Sequence, residues 1–362
     1  MNSDPAGAAA KPPSPGGIAA LRWRGVDLVP VTGGLSIAVV GALLMLAIGG
    51  SYDGLAIAVG LGYAVTVVGM VVQIGYSHQL AFTQSAFMGV GGYGIGILET
   101  RYGWGTVESI VVVVVVSGVA AAIVGAFVTR APGLSLALAT LLLVLLLSQL
   151  TSFSSYLGSF AGVSGINELY SGSSYQQGLV VSGIIAAVIL GLAAYVAWRL
   201  LRSNVGFQLA VLAEDADMAQ SLGINIRQRK LELFVFSSML AAIGGALVGS
   251  LQGTVSPDII GLPTELTLQV MLFIGGRRSI PASIIGAVAI EWLSTRSASV
   301  TSNLEIIDGV LLLAVLLFQP EGVAGLVHDA YQFVAHRRSR SAARQGPVAP
   351  DEVPAGTGAQ AQ

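Results

Sequence analysis

The chain has 362 residues, of which 54% are hydrophobic and only 10% charged. A soluble domain is about a quarter charged, so this one cannot cover its surface with polar groups, and its mean hydropathy of +0.79 agrees. The absence of Cys excludes disulfides and thiolate metal sites, and the net charge of −2 matters less than where the charges fall.

Residues 1–28 are rich in Ala, Pro, Gly and Ser with Lys11, Arg22 and Arg24. Such a composition builds no core and predicts a disordered, basic cytoplasmic tail. It lacks the short apolar core and small-residue cleavage site of a signal peptide. A transmembrane domain is predicted over 29–326, built from ten apolar segments at roughly 30–50, 54–75, 80–98, 107–129, 133–151, 179–199, 230–252, 264–276, 280–297 and 304–319. The fold class is therefore an all-α polytopic membrane protein. The eighth segment is too short to cross alone at ~1.5 Å per residue, and reads as a half-helix or part of a longer broken helix. Residues 327–362 read as a basic, then Pro/Ala/Gln-rich, cytoplasmic tail.

Basic residues orient the segments. With ten crossings and both termini in the cytoplasm, 15 of the 17 Lys and Arg fall inside, and only Arg101 and Arg296 fall outside. Arg277 and Arg278 should mark a helix end, since an Arg at mid-bilayer costs about 2.5–3.5 kcal/mol on insertion scales. The predicted outside loop 152–178 has no Lys or Arg and is the longest external segment, which makes it the natural surface for an external partner.

No G-x-x-x-x-G-K-[ST] loop is present, so an ATP-driven function would need its ATPase on another subunit. Gly162-Val163-Ser164-Gly165 resembles the nucleophile motif of rhomboid-type proteases. It sits in a polar external loop, however, and the later histidines His328 and His336 fall in or beside the tail, so no catalytic residue, metal ligand or cofactor is assigned. The third segment, within GYSHQLAFTQSAFMGVGGYGIG (Gly75 to Gly96), is polar at its start and glycine-rich after it. It reads either as a broken helix beside a translocation path or as a packing interface whose polar start lies among headgroups. Candidate path residues are His78, Gln79, Gln84, Glu291 and Asp308; Glu232, Glu265 and Glu305 lie near segment ends, where water is close. Acids deep in the membrane would also serve a proton-coupled secondary transporter.

The polar island 200–229 stands apart. Phe207, Ala210, Val211 and Glu214 follow helical spacing, Asp215 can cap a second turn carrying Met218, Ala219 and Leu222, and Gly223 suits its stop. Two short cytoplasmic helices with a small apolar face are predicted. Phe207 to Gly223 contains no Lys or Arg and three acids, which favours a protein partner over the bilayer surface.

Ala213-Glu214-Asp215 through Leu222-Gly223-Ile224-Asn225, followed by a basic cluster and a new span, resembles the cytoplasmic coupling loop of the branched-chain amino acid permeases. These are the LivH/LivM-type membrane subunits of bacterial ABC importers. Gly75 to Tyr93, Arg130 to Thr140 (RAPGLSLALAT), Ser256-Pro257-Asp258, Ile274 to Ala287 (IGGRRSIPASIIGA) and Phe318 to Leu326 (FQPEGVAGL) are similar to further family segments in the same order. The opening Gly-Leu-Gly-Tyr and the ending tilt the resemblance toward the LivM-like branch. His78, Gln84 and the Arg277-Arg278 pair depart from the family pattern. The resemblance implies a permease subunit in the bacterial inner membrane, with ATP bound by two cytoplasmic ABC ATPase subunits. It also implies a second homologous permease or a copy of itself, an extracytoplasmic solute-binding protein, and coupling through Phe207, Glu214, Asp215, Met218, Leu222 and Gly223. The lipid bilayer is its solvent and nucleic acid is not an expected partner. Small amino acids are the implied solutes, with urea, short amides and ribose-type sugars as alternatives.

Overall fold

A computed structural model describes residues 29–297, apart from 49–51, 78, 80, 131–132, 168 and 170–174. The two tails, the tenth apolar segment at 304–319, His78, Glu305 and Asp308 lie outside the described residues.

The chain runs through α1 (Val29–Ile48), α2 (Tyr52–Met70), α3 (Gln84–Tyr102), α4 (Thr106–Val128), α5 (Gly133–Phe153), α6 (Tyr175–Leu201), α7 (Asn204–Glu214), α8 (Ala216–Ser221), α9 (Ile226–Gln252), α10 (Leu262–Gly275) and α11 (Ile280–Ser297). Two-residue strands β1 (Val163–Ser164) and β2 (Thr254–Val255) pair antiparallel, Val163 opposite Val255. Among the described residues, five helical stretches are long and apolar enough to cross a membrane: 53–75, 106–128, 135–153, 176–201 and 226–252.

Burial separates the central helix from the lipid-facing ones. In the apolar span of α2, 89% of residues are buried, against 22% in α4, so α2 is the axis and α4 a wall. The sequence of α4 shows why. Ser109, Val113, Ser117, Ala121 and Gly125, four apart, form a buried stripe of mostly small residues against α9. Val107, Val111, Val115, Val119, Ile123 and Phe127 form the exposed apolar stripe beside it. Lipid is as apolar as Val, so burial of oil supplies no net drive, and close contact of small residues holds the helices together. The α3–α9 contact is closest: a Cβ on Gly91 would strike the Ala242 carbonyl, and one on Gly245 the Met88 carbonyl.

Contacts between connections sort the helix ends onto two faces. On one, the Tyr76 hydroxyl donates to the Arg278 carbonyl (3.1 Å), Arg278 Nε to Gly75 O (3.3 Å) and Arg227 Nη2 to Ala126 O (3.1 Å). On the other, Arg101 Nη2 donates to Tyr156 O (2.6 Å), Asn167 N to Glu99 Oε2 (2.8 Å), and Arg296 pairs with Asp53 (2.5 Å). The first face carries Arg277 and Arg278 in the turn between α10 and α11, at a helix end as the sequence requires. The second collects Arg101 and Arg296, the two basic residues that the charge pattern sets apart.

Two local features depart from simple crossings. The third segment begins as helix at Gln84, not 80; Gln79 and 81–83 are non-helical, and before them α2 ends in a π-helical turn, Val71–Gly75. After α9, the chain passes through β2 and a 3₁₀ turn (Pro257–Ile260) that reaches down α3 as far as Gly89, where Ile260 fills the space a Cβ would take. Only then does α10 begin. Its 14 residues span about 21 Å, short of the ~30 Å hydrocarbon core. It is a half-helix that starts inside the bundle.

Candidate functional site

The break between α2 and α3 and the start of α10 meet in one buried polar cluster. Gln73, in the π-helical turn, accepts from Gln84 Nε2 (2.7 Å), and its carbonyl accepts from the Ser77 hydroxyl (2.5 Å). The backbone N–H of Ser85, in the first turn of α3, donates to Glu265 Oε2 (2.8 Å). The Gln84 backbone N–H faces the same carboxylate, whereas Ser85 Oγ is buried without a hydrogen bond. One turn along α10, Gln269 Nε2 lies 3.4 Å from Glu265 Oε1. Glu265 is completely buried.

The helix explains the carboxylate. The first turn of α3 has backbone N–H groups without intrahelical acceptors and carries the positive end of the helix dipole. Thr83 at the N-cap makes no side-chain capping bond, so Glu265 supplies the anion from another helix. Glu265 sits ten residues, about 15 Å, from the end of α10, and Ser85 about 25 Å from the far end of α3. Both positions fall within the hydrocarbon depth. The expectation that Glu265 lies near water is therefore corrected: the segment end that hydropathy locates is an end inside the bundle, delivered there by the re-entrant 3₁₀ turn.

Several polar atoms beside this cluster make no hydrogen bond and no solvent contact: Gln73 Nε2, both side-chain amide atoms of Gln79, Thr83 Oγ1, Gln84 Oε1 and Gln269 Oε1. Each such buried group costs about 1–3 kcal/mol, and lipid offers no relief. Of the path residues predicted from sequence, Gln84 is in the cluster and Gln79 lies buried in the non-helical stretch leading to it. Glu291 is elsewhere, on α11 beside Gly60 of α2, thirteen residues or about 20 Å from Gln73 along the helix. His78 and Asp308 lie outside the described residues. Gln73, Ser85, Glu265 and Gln269 were not predicted. The available signals were the Glu265/Gln269 i,i+4 pair and the shortness of its segment.

An apolar groove of about 580 Å³ lies between α1, α2 and α11, lined by Val40, Leu44, Ile57, Ile284 and Val288 among others. Ser36 and Asp53 are its polar lining residues with hydrogen-bonding side chains at the rim besides Trp292, so it does not extend the polar cluster.

The basic face carries a second constructed element. Ser203 caps α7, its Oγ accepting from Val205 N (3.2 Å) and donating to Leu200 O (2.6 Å). Asp215 caps α8, accepting from Asp217 N (2.8 Å) and Met218 N (3.2 Å). Gly223, at φ +77°, closes α8: its N–H bonds Gln220 O and that of Ile224 bonds Ala219 O, the paired bonds of a left-handed helix stop. Asn225 then caps α9 through Gln228 N (3.1 Å). Leu209, Leu212 and Ala219 pack inward, whereas Phe207, Met218 and Leu222 are 47%, 55% and 59% exposed. Glu214 is the last residue of α7. Four caps in twenty-three residues make a shaped knob with outward apolar side chains.

A lipid-facing helical bundle broken around a buried polar cluster, with a capped helical knob on its basic face, defines a polytopic transport-type membrane protein. The chain belongs to the family described as branched-chain amino acid transport system / permease component, which matches residues 54–319. It is similar to the high-affinity branched-chain amino acid transport system permease protein LivM of Escherichia coli (strain K12), 25% identical over 291 residues, covering 72% of this chain and 67% of that protein. LivH of the same organism is 30% identical over 166 residues, 45% of this chain and 52% of that protein. BraD of Pseudomonas aeruginosa is 29% identical over 154 residues, 42% of this chain and 48% of that protein. The chain thus spans about half the length of its LivH and BraD relatives. No solved structure matches it.

Proposed function

We propose that this chain is the membrane-spanning permease subunit of an ATP-driven importer of branched-chain or other small amino acids in a bacterial inner membrane. The observation that carries the reading is the capped α7–α8 knob, which holds Phe207, Met218 and Leu222 outward on the basic face. The charge asymmetry supports a cytoplasmic position for that face and for both termini. Two ABC ATPase subunits bind ATP and grip the knob through those side chains, with Glu214 and Asp215 at the bend and Gly223 at the stop. A second permease, homologous or identical, completes the path, and a solute-binding protein delivers from the opposite face. The buried cluster around Gln84 and Glu265, with Gln79 leading to it, is the path in its closed state; its unpaired polar atoms gain partners when the helices part.

A second reading, a proton-coupled carrier acting alone, is favoured by one observation, the fully buried carboxylate of Glu265. Reconstitution separates the two. Leucine uptake into liposomes by the chain with its ATPases and binding protein, dependent on ATP and indifferent to a proton gradient, is the expected result. Uptake by the chain alone under a proton gradient would establish the carrier instead.

A further inference from the structure

The donors and acceptors around the α3 amino end, taken with the reading of the chain as an amino-acid permease on which this inference rests, match the head group of a free amino acid. We infer that the first turn of α3 and the first turns of α10 form a zwitterion seat inside the membrane. In it Glu265 serves both as the counter-ion for the solute's ammonium and, in the empty state, as the stand-in for its carboxylate.

A helix amino end suits carboxylates, and in this structure a carboxylate is there: Glu265 accepts from Ser85 N at 2.8 Å, with the Gln84 N–H facing it. It comes from a different helix, so it can leave without unwinding α3. The second observation is independent of the helix end. Gln84 Oε1 and Gln269 Oε1 are acceptors with no partner, on residues 0% and 2% exposed. The Gln269 amide stands against Glu265, its nitrogen 3.4 Å from Oε1. Released from the α3 amides, the Glu265 carboxylate joins these two acceptors, and three acceptors are what an ammonium, with three N–H donors, requires. The vacated amides then take the solute's carboxylate. Urea or a sugar brings no anion to those amides and no cation to Glu265, so the seat discriminates for amino acids.

With Glu265 on the α3 amides, α10 is latched to α3 and the path is shut. A solute that brings both a carboxylate for the α3 amides and an ammonium for Glu265 replaces the latch; a solute lacking either charge does not.

The chain has no Cys, so a single introduced thiol reports on the site against a clean background. The full complex of this chain with its ATPases, second permease and binding protein would carry Thr83→Cys, or Gln79→Cys should the first fail to assemble. Its modification by a methanethiosulfonate reagent would be followed at rest and after trapping with ATP and vanadate. The thiol is expected to be closed at rest and to open on trapping. Saturating leucine should then slow its modification about tenfold or more, the scale of hydrogen bonds to charged groups, while 4-methylpentanoate, which lacks the ammonium, should not. Glu265→Gln added to the reporter should abolish protection by leucine while modification by an uncharged reagent continues. A thiol closed in every state, equal protection by leucine and 4-methylpentanoate, or protection surviving Glu265→Gln would each overturn the seat. ATP-dependent leucine uptake by the unmutated complex is read in parallel: its absence overturns the transport reading itself, whereas uptake without protection overturns only the seat.

Discussion

Replacing both Met218 and Leu222 with Ala tests whether the knob is the handle by which an ATPase moves the bundle. Fully burying a Met or Leu side chain contributes about 1.5–3 kcal/mol. Met218 is 55% and Leu222 59% exposed, so a docking partner can still bury rather more than half of each, roughly 1–1.5 kcal/mol apiece by the same scale. Removing both should cost about 2–3 kcal/mol, which at ~1.4 kcal/mol per factor of ten weakens ATPase binding some 30- to 150-fold. The caps on Asp215 and Gly223 are untouched, so the helices should persist. The assay is equilibrium binding of the purified ATPase to the permease in nanodiscs, with circular dichroism and thermal unfolding as controls. A change in affinity below about threefold, with the fold intact, would refute the assignment of this surface.

Three other outcomes are expected. Asp215→Ala removes the cap of α8 and should cost about 1 kcal/mol locally, seen as faster amide exchange over 216–221 with little change in α9. Gly245→Val should prevent the α3–α9 contact, because its Cβ would meet the Met88 carbonyl; overpacking of this kind costs about 1–3 kcal/mol, and a lowered midpoint of thermal unfolding in detergent checks it. A thiol at the exposed Gln220 (Gln220→Cys) should react with an impermeant maleimide only in inverted vesicles, and labelling of intact cells would reverse the topology.

Hydropathy made most of the bundle legible because lipid forces apolarity onto whole helices, and the turns of α7 and α8 were legible because caps use few residue types. Asp215 and Gly223 stand where their chemistry requires, and Arg277-Arg278 lies in a turn. What hydropathy does not record is depth. Ser256-Pro257-Asp258 reads as an ordinary surface turn, but the chain after it descends along the glycines of α3, placing Glu265 in the bundle. The start of α3 moved from 80 to 84 for a related reason. Residues 80–83 are apolar enough to count as span, yet 81–83 run non-helically, with Phe82 N donating to Thr140 Oγ1 of α5 at 2.9 Å. A lone glutamine in an apolar run such as Gln73 carries no periodic signal; its significance comes from Gln84, eleven residues on.

The π-helical turn at Val71–Gly75 has a consequence for how this chain is aligned with others. Such a turn holds one residue more than an α-turn, and each residue of an α-helix advances about 100° and 1.5 Å. Tyr76 and Ser77 therefore point about a quarter-turn away from where an unbroken α2 would aim them, toward the Arg278 carbonyl and back onto Gln73. Helical-wheel comparison that carries an ideal period through residue 75 will assign the polar residues beyond it to the wrong side of the helix. The inserted residue acts as a phase shift between the buried axle of the bundle and the polar stretch that follows, and a deletion of one residue there would re-aim that stretch without changing a single polar side chain.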